Sequence, residues 1–138
     1  MSLRAPLLLV ALVLAVLVPL PAGAADRSPT PTELRAIRIT ALEVCRAAAP
    51  EACEFRRARI STPNARFVWA EVVGEGFSGA LLKRKTAESP RFRVAGTQGG
   101  GIASCSYWLE VAPARVLRDL KISGLVEATG EVRNCGRT

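Results

Sequence analysis

An α+β domain follows from three features of the chain: one amphipathic helical stretch near the start, a run of short strand patterns after it, and four cysteines to staple the two together. The strand region is centred on 66–96, where three strand-like runs are separated by turn residues. Its best run, Arg66 to Val73, is apolar on both faces, with Phe67, Trp69 and Val73 on one and Val68, Ala70 and Val72 on the other. A strand of that kind is central in its sheet and covered on both sides. The expected architecture is one N-terminal amphipathic helix packed on a curled antiparallel sheet of four or five strands, stapled by disulfides.

The helix is predicted over residues 31–48. Thr30 can cap it, Pro31 suits the first helical position, and Glu33 can complete a capping box. Leu34, Ile37, Ala41, Val44, Cys45 and Ala48 then fall on one stripe, with Arg35, Arg38, Glu43 and Arg46 off it, and Pro50 ends the helix. Phe55 to Ile60 reads as an edge strand, because charges at alternate positions keep edges from pairing with neighbours. A turn at 61–64 leads into the central strand. The loop 74–79, a strand at 80–85, a turn at 86–90 and a strand at 91–95 complete a meander. In that last strand Phe92 and Val94 face one way, Arg91 and Arg93 the other. The glycine-rich 96–101 is expected as a loop and Ile102 to Val111 as a fourth long strand. Pro113 to Leu120 reads as a short helical turn, and the tail as a further strand or a segment lying along the sheet.

Ahead of this domain lies an address. Leu7 to Val18 is an uninterrupted apolar run bounded by Pro6 and Pro19, too short to cross a bilayer core, which takes about 20 helical residues. Ala22-Gly23-Ala24 supplies the small residues a signal peptidase accepts. Residues 1–24 are therefore read as a cleaved signal peptide, 25–30 as a flexible lead and 31–138 as one domain, secreted or periplasmic, with no membrane span once the leader is removed. The cysteines agree. Cys45, Cys53, Cys105 and Cys135 are even in number, and an exported chain of this size uses such a set as disulfides. Three pairings are open. Cys45 with Cys53 and Cys105 with Cys135 is favoured, the first spanning a short turn and the second tying the tail to the sheet.

The catalytic inventory is thin. The chain contains no histidine, which removes the commonest general base and metal ligand. A zinc site would need all four thiolates at spacings unlike compact zinc modules, and no spaced acids suit calcium. Ser104-Cys105-Ser106 looks like a nucleophile cluster by composition, but a serine there would depend on Lys83, Lys85 or Lys121 as base. Glu71, Glu75, Glu88, Glu110 and Asp119 are scattered. The glycines at 99–101 are followed by neither a helix start nor a Gly-Lys-Ser/Thr signature. No cofactor, no metal and no catalytic residue is expected, and the chain is read as non-enzymatic.

Charge is the remaining signal. The net charge is +7 at pH 7, from 19 basic against 12 acidic residues, which draws an exported protein toward anionic envelope polymers, anionic lipid heads or acidic partner proteins. Arg57, Arg59, Lys83, Lys85, Arg91 and Arg93 fall on neighbouring strands, and Lys83, Lys85, Arg91 and Arg93 are the candidate anionic-partner surface. A solvated sheet face is the first reading of these charges and the anionic-partner surface the second. Specific nucleic-acid binding is not expected, because the aromatic residues beside these charges belong to the core.

The order of a leader, a helix, FVWAEV (Phe67 to Val72), ALLKR (Ala80 to Arg84), FRV (Phe92 to Val94), a glycine-rich turn, a cysteine strand and PARVLRDL (Pro113 to Leu120) resembles small exported bacterial proteins of unknown function. The helix-then-curled-sheet order is similar to the cystatin-like and ketosteroid-isomerase-like superfold. That resemblance implies a fold and no activity; the two functional readings are a binding or inhibitory module and, as alternative, a small-molecule or lipid carrier or isomerase-like enzyme with a pocket between helix and sheet. The chain lacks a cystatin-type wedge and the several N-terminal helices of the isomerase-like group.

Overall fold

The computed structural model describes residues 26–137; the leader at 1–24 lies outside the described residues. Helix α1 (Pro31–Ala48) starts as its sequence dictates. The Glu33 amide donates to the Thr30 hydroxyl at 3.3 Å, and the Thr30 amide donates to the Glu33 carboxylate at 2.9 Å. Two otherwise orphaned amides are thereby satisfied. Ile37, Ala41 and Cys45 are fully buried on the inner face of the helix. The Cys45–Cys53 disulfide, with Cα atoms 5.9 Å apart, turns the chain from the helix end into the sheet.

Four strands follow as an antiparallel meander in the order of the chain: β1 (Glu54–Ile60), β2 (Phe67–Val73), β3 (Phe77–Arg84) and β4 (Phe92–Gly99). The period of two in each strand sorts the side chains into two cores. Under α1 lie Ala58, Ile60, Val68, Ala70, Val72, Ala80 and Leu82. On the opposite face Phe67 and Leu81 pack with Trp108, Val116, Leu117 and Leu120 from the C-terminal part. Strand β2 is thus interior and covered on both sides, as its sequence predicts. Gly79 is required by this packing, because a Cβ there would lie 2.3 Å from the Trp69 ring.

The C-terminal third departs from expectation. Residues 102–111 do not form a fourth long strand. Their ordered core is a helix, α2 (Cys105–Val111), capped by Ser104, whose hydroxyl accepts from the Tyr107 amide at 3.2 Å. The aromatic and β-branched residues suggest a strand, but Cys105, Trp108 and Ala112 recur at helical spacing and all three are buried. Helix α3 (Ala114–Asp119) follows, then a separate two-stranded sheet of β5 (Ser123–Val126) and β6 (Glu131–Asn134). The main sheet therefore has four strands and carries helical layers on both faces, not one helix on a single face. The Cys105–Cys135 bridge consequently joins the tail to α2, not to the sheet.

Smaller shifts occur in the meander. Strand β3 begins at Phe77, leaving only Gly74 to Gly76 as its turn, with Gly76 at φ +67°. Strand β4 continues through the glycine-rich segment to Gly99. A bulge at Ala95 lies between the pairs Leu82/Val94 and Leu81/Gly96. Val94, expected to face inward beside Phe92, is 39 % exposed at this outer strand. Beyond the bulge the Thr97 amide donates to the Tyr107 hydroxyl of α2 at 3.0 Å. The lead before α1 is tied down at two points: Arg27 exchanges two backbone hydrogen bonds with Ile60, each 2.8 Å, and the Asp26 amide donates to Asp119.

Both bridges should be recovered as Cys45–Cys53 and Cys105–Cys135 by mass mapping under non-reducing conditions. Replacing Cys105 and Cys135 together with Ser is expected to lower stability by about 2–4 kcal/mol in urea unfolding, since the bridge restrains the unfolded chain. A wild-type urea midpoint in that variant would contradict the role given to the bridge.

Candidate functional site

The four basic residues picked out on sequence come together at one end of the sheet. Lys83 of β3 is directly opposite Arg93 of β4, and the next pair along the ladder is Arg84 with Phe92. Continuing that register by one residue brings Lys85 toward Arg91. All four line one concavity of about 420 Å³, together with Arg66, Ser89 and Phe92. Five cationic residues thus line the groove, and no carboxylate does. A neighbouring shallow concavity shares Arg66 and Lys83 and continues past Asn64 and Phe67 to Leu109, Glu110 and Pro113.

Several contacts fix this end of the sheet. Lys83 Nζ sits 5.2 Å from the centre of the Phe67 ring, a cation–π contact that holds its side chain over the second core. The Arg66 guanidinium donates to the Arg84 carbonyl at 3.1 Å, joining β2 to β3 at their ends. In the turn between β3 and β4, the Ser89 amide donates to the Thr86 carbonyl and the Arg91 amide donates to the Ser89 hydroxyl, both at 3.3 Å. This turn presents Lys85 and Arg91 from its two sides.

Behind the groove lies Arg84, a charge that the sequence pattern concealed. It is 1 % exposed. Its guanidinium stacks 5.1 Å from the Phe92 ring centre and donates to the Ala65 carbonyl, the Ser89 carbonyl and the Glu33 carboxylate. Glu33 also receives a two-pronged bond from Arg27, each arm 3.0 Å. One carboxylate therefore caps α1, anchors the lead and neutralises the buried guanidinium beneath the turn. The Arg27 hydrogen bonds, joined by those from Thr30 and Arg84, hold the Glu33 carboxyl down at about 2.

Five of the described basic residues are ion-paired. Arg27, Arg57, Arg59, Arg84 and Arg133 each have a carboxylate within ion-pair distance: Glu33, Glu71, Asp26, Glu33 and Glu131 respectively. Arg57 and Arg59 therefore leave the surface that sequence placed them on. Among the described residues, Arg66, Lys83, Lys85, Arg91 and Arg93 have no such partner and line the same groove; Arg35, Arg38, Arg46, Arg56, Arg115, Arg118, Lys121 and Arg137 are also without an ion pair but do not line it. Sequence reasoning missed Arg66, Ser89 and Phe92. The signal for Arg66 was available, since it precedes Phe67 on β2 and Phe67 pairs with Lys83.

The other features tempting on sequence take structural roles. Ser104 caps α2 and Cys105 is half of a disulfide. Gly99 and Gly100 pack against Gly76. Among the described residues no cluster of His, Cys, Asp or Glu could hold a metal ion, and no helix is long and apolar enough to cross a membrane. No family model, no curated protein and no solved structure matches the chain.

The Glu33 clasp carries a pH signature. A carboxyl whose folded value is depressed from 4.5 to about 2 contributes stability that is complete above 4.5 and is lost as pH falls toward 2. Glu33→Gln should be less stable at neutral pH by about 1–3 kcal/mol, because it leaves the buried guanidinium without its ionic partner. It should also lose the part of the acid transition that lies in this window. Urea midpoints measured across the acid range check both statements; parallel curves for wild type and variant would remove the clasp.

Proposed function

We propose that this chain is a non-enzymatic binding module working outside the cytoplasm, with the groove of Arg66, Lys83, Lys85, Arg91, Phe92 and Arg93 as its contact surface for an anionic envelope component or acidic partner. The observation that carries the reading is the gathering of five carboxylate-free cations in one groove, while Arg57, Arg59 and Arg84 of the same sheet are paired with acids. An unpaired cluster keeps its field available to a ligand, and its partly enclosed position reduces the screening that ordinary surface charges experience. The two disulfides suit an oxidising compartment.

The second reading, a carrier or isomerase-like enzyme with a pocket between helix and sheet, has less support. That interface is occupied by Ile37, Ala41, Val68, Ala70, Val72 and Leu82, all fully buried. The groove described above lies instead around the β3–β4 turn.

Salt-gradient elution from a phosphate-bearing cation exchanger separates site from net charge. Arg91→Glu with Arg93→Glu should elute at much lower salt than wild type. Arg35→Glu with Arg38→Glu, on the exposed side of α1, has the same net charge and should elute later than the groove variant. Coincident elution of the two variants would mean that overall charge alone governs retention, and would sink the reading.

A further inference from the structure

The arrangement of the groove cations also specifies a ligand. Lys83 and Arg93 form one cross-strand pair, and Lys85 and Arg91 stand one residue beyond the paired ends of β3 and β4 on the same side as that pair. Alternate residues of a strand point to the same face and are separated by roughly 7 Å along it, while neighbouring strands lie about 5 Å apart. The groove therefore holds two rungs, each made of one lysine and one arginine, about 7 Å apart along the sheet. Arg66 flanks the Lys83 end, Phe92 lies between the rungs in sequence, and the Ser89 turn closes the far end.

Building on the binding role proposed above, we infer that the groove takes a ligand bearing two phosphate-type groups about 7 Å apart, one on each rung. Two cations for each anionic group match a phosphate monoester, which carries about −1.5 to −2 charge at pH 7, better than a carboxylate with a single charge. Each rung contains one arginine, whose planar fork suits the oxygens of a phosphoryl group, and one lysine acting as a point charge. The apolar stems of the long basic side chains accommodate the spacer between the two groups. The rungs are preorganised: Lys83 is held over Phe67, and the Arg91 backbone is bonded to the Ser89 hydroxyl.

Calorimetric titration of the purified, oxidised chain tests this with methylphosphonate and with methylene-, tetramethylene- and decamethylene-bisphosphonate at low ionic strength. Tetramethylene-bisphosphonate spans the two rungs, so it should bind about tenfold or more tightly than methylphosphonate and more tightly than the shorter and longer bisphosphonates, through effective concentration. Lys85→Gln with Arg91→Gln removes one rung outside the paired ladder and should reduce tetramethylene-bisphosphonate to the affinity of methylphosphonate. Arg35→Gln should leave the series unchanged. Equal affinity for all three bisphosphonates would overturn the two-rung inference while leaving anion binding intact. Absence of heat for every probe would overturn the binding role and this inference with it.

Discussion

Strand β2 has no solvent face, and most of the architecture is a response to that condition. Val68, Ala70 and Val72 require a cover on one side, Phe67 and Trp69 on the other. A four-stranded antiparallel sheet with one helix would leave the second set wet. The chain supplies α1 for the first face and, after the sheet is complete, α2 and α3 for the second. Each disulfide lies at the attachment of one of these layers: Cys45–Cys53 where α1 enters β1, and Cys105–Cys135 where the tail closes on α2. Burial creates the layers, and the bridges hold their ends in a protein with only a modest core per face.

This dependence explains what could be read from the residues. Helix α1 was legible to the residue, because capping chemistry and a 3.6-residue period agree from Thr30 to Ala48. The two-sided pattern of Phe67 to Val73 identified the central strand. The same pattern implied a second cover, yet 102–111 carries Ile, Tyr and Trp in a stretch that suits either a strand or a helix. Its resolution depended on Ser104 as a cap and on burial of Cys105, Trp108 and Ala112, which only the tertiary context decides. The bulge at Ala95 was equally hidden, since a single extra residue reverses the facing of everything beyond it.

The candidate site was legible in part for a related reason. Strand alternation put Lys83 with Lys85 and Arg91 with Arg93, and the hairpin brought the two pairs together. What alternation could not reveal was which charges were already spent. Arg57 and Arg59 follow the same alternation but are neutralised by Glu71 and by Asp26. Arg84 lies between Lys83 and Lys85 in sequence and points into the protein, where Glu33, distant by 51 positions, receives it. The groove thus has an outer, unpaired layer of charge and an inner, paired one. The inner pair fixes the turn whose two sides display the outer cations.

The bond from the Thr97 amide to the Tyr107 hydroxyl has a meaning outside the single molecule. Strand β4 is one of the two edges of the main sheet, and an exposed row of unpaired amides is a template for another copy of the same chain. Tyr107 occupies one of those amides, the Ala95 bulge breaks the regular spacing beside it, and Arg91 and Arg93 place like charges along the remainder. A second molecule approaching this side meets a blocked donor, a misregistered ladder and electrostatic repulsion. One half-buried aromatic side chain, set edge-on against Trp108, thereby works against a basic, sheet-rich protein growing into stacked assemblies.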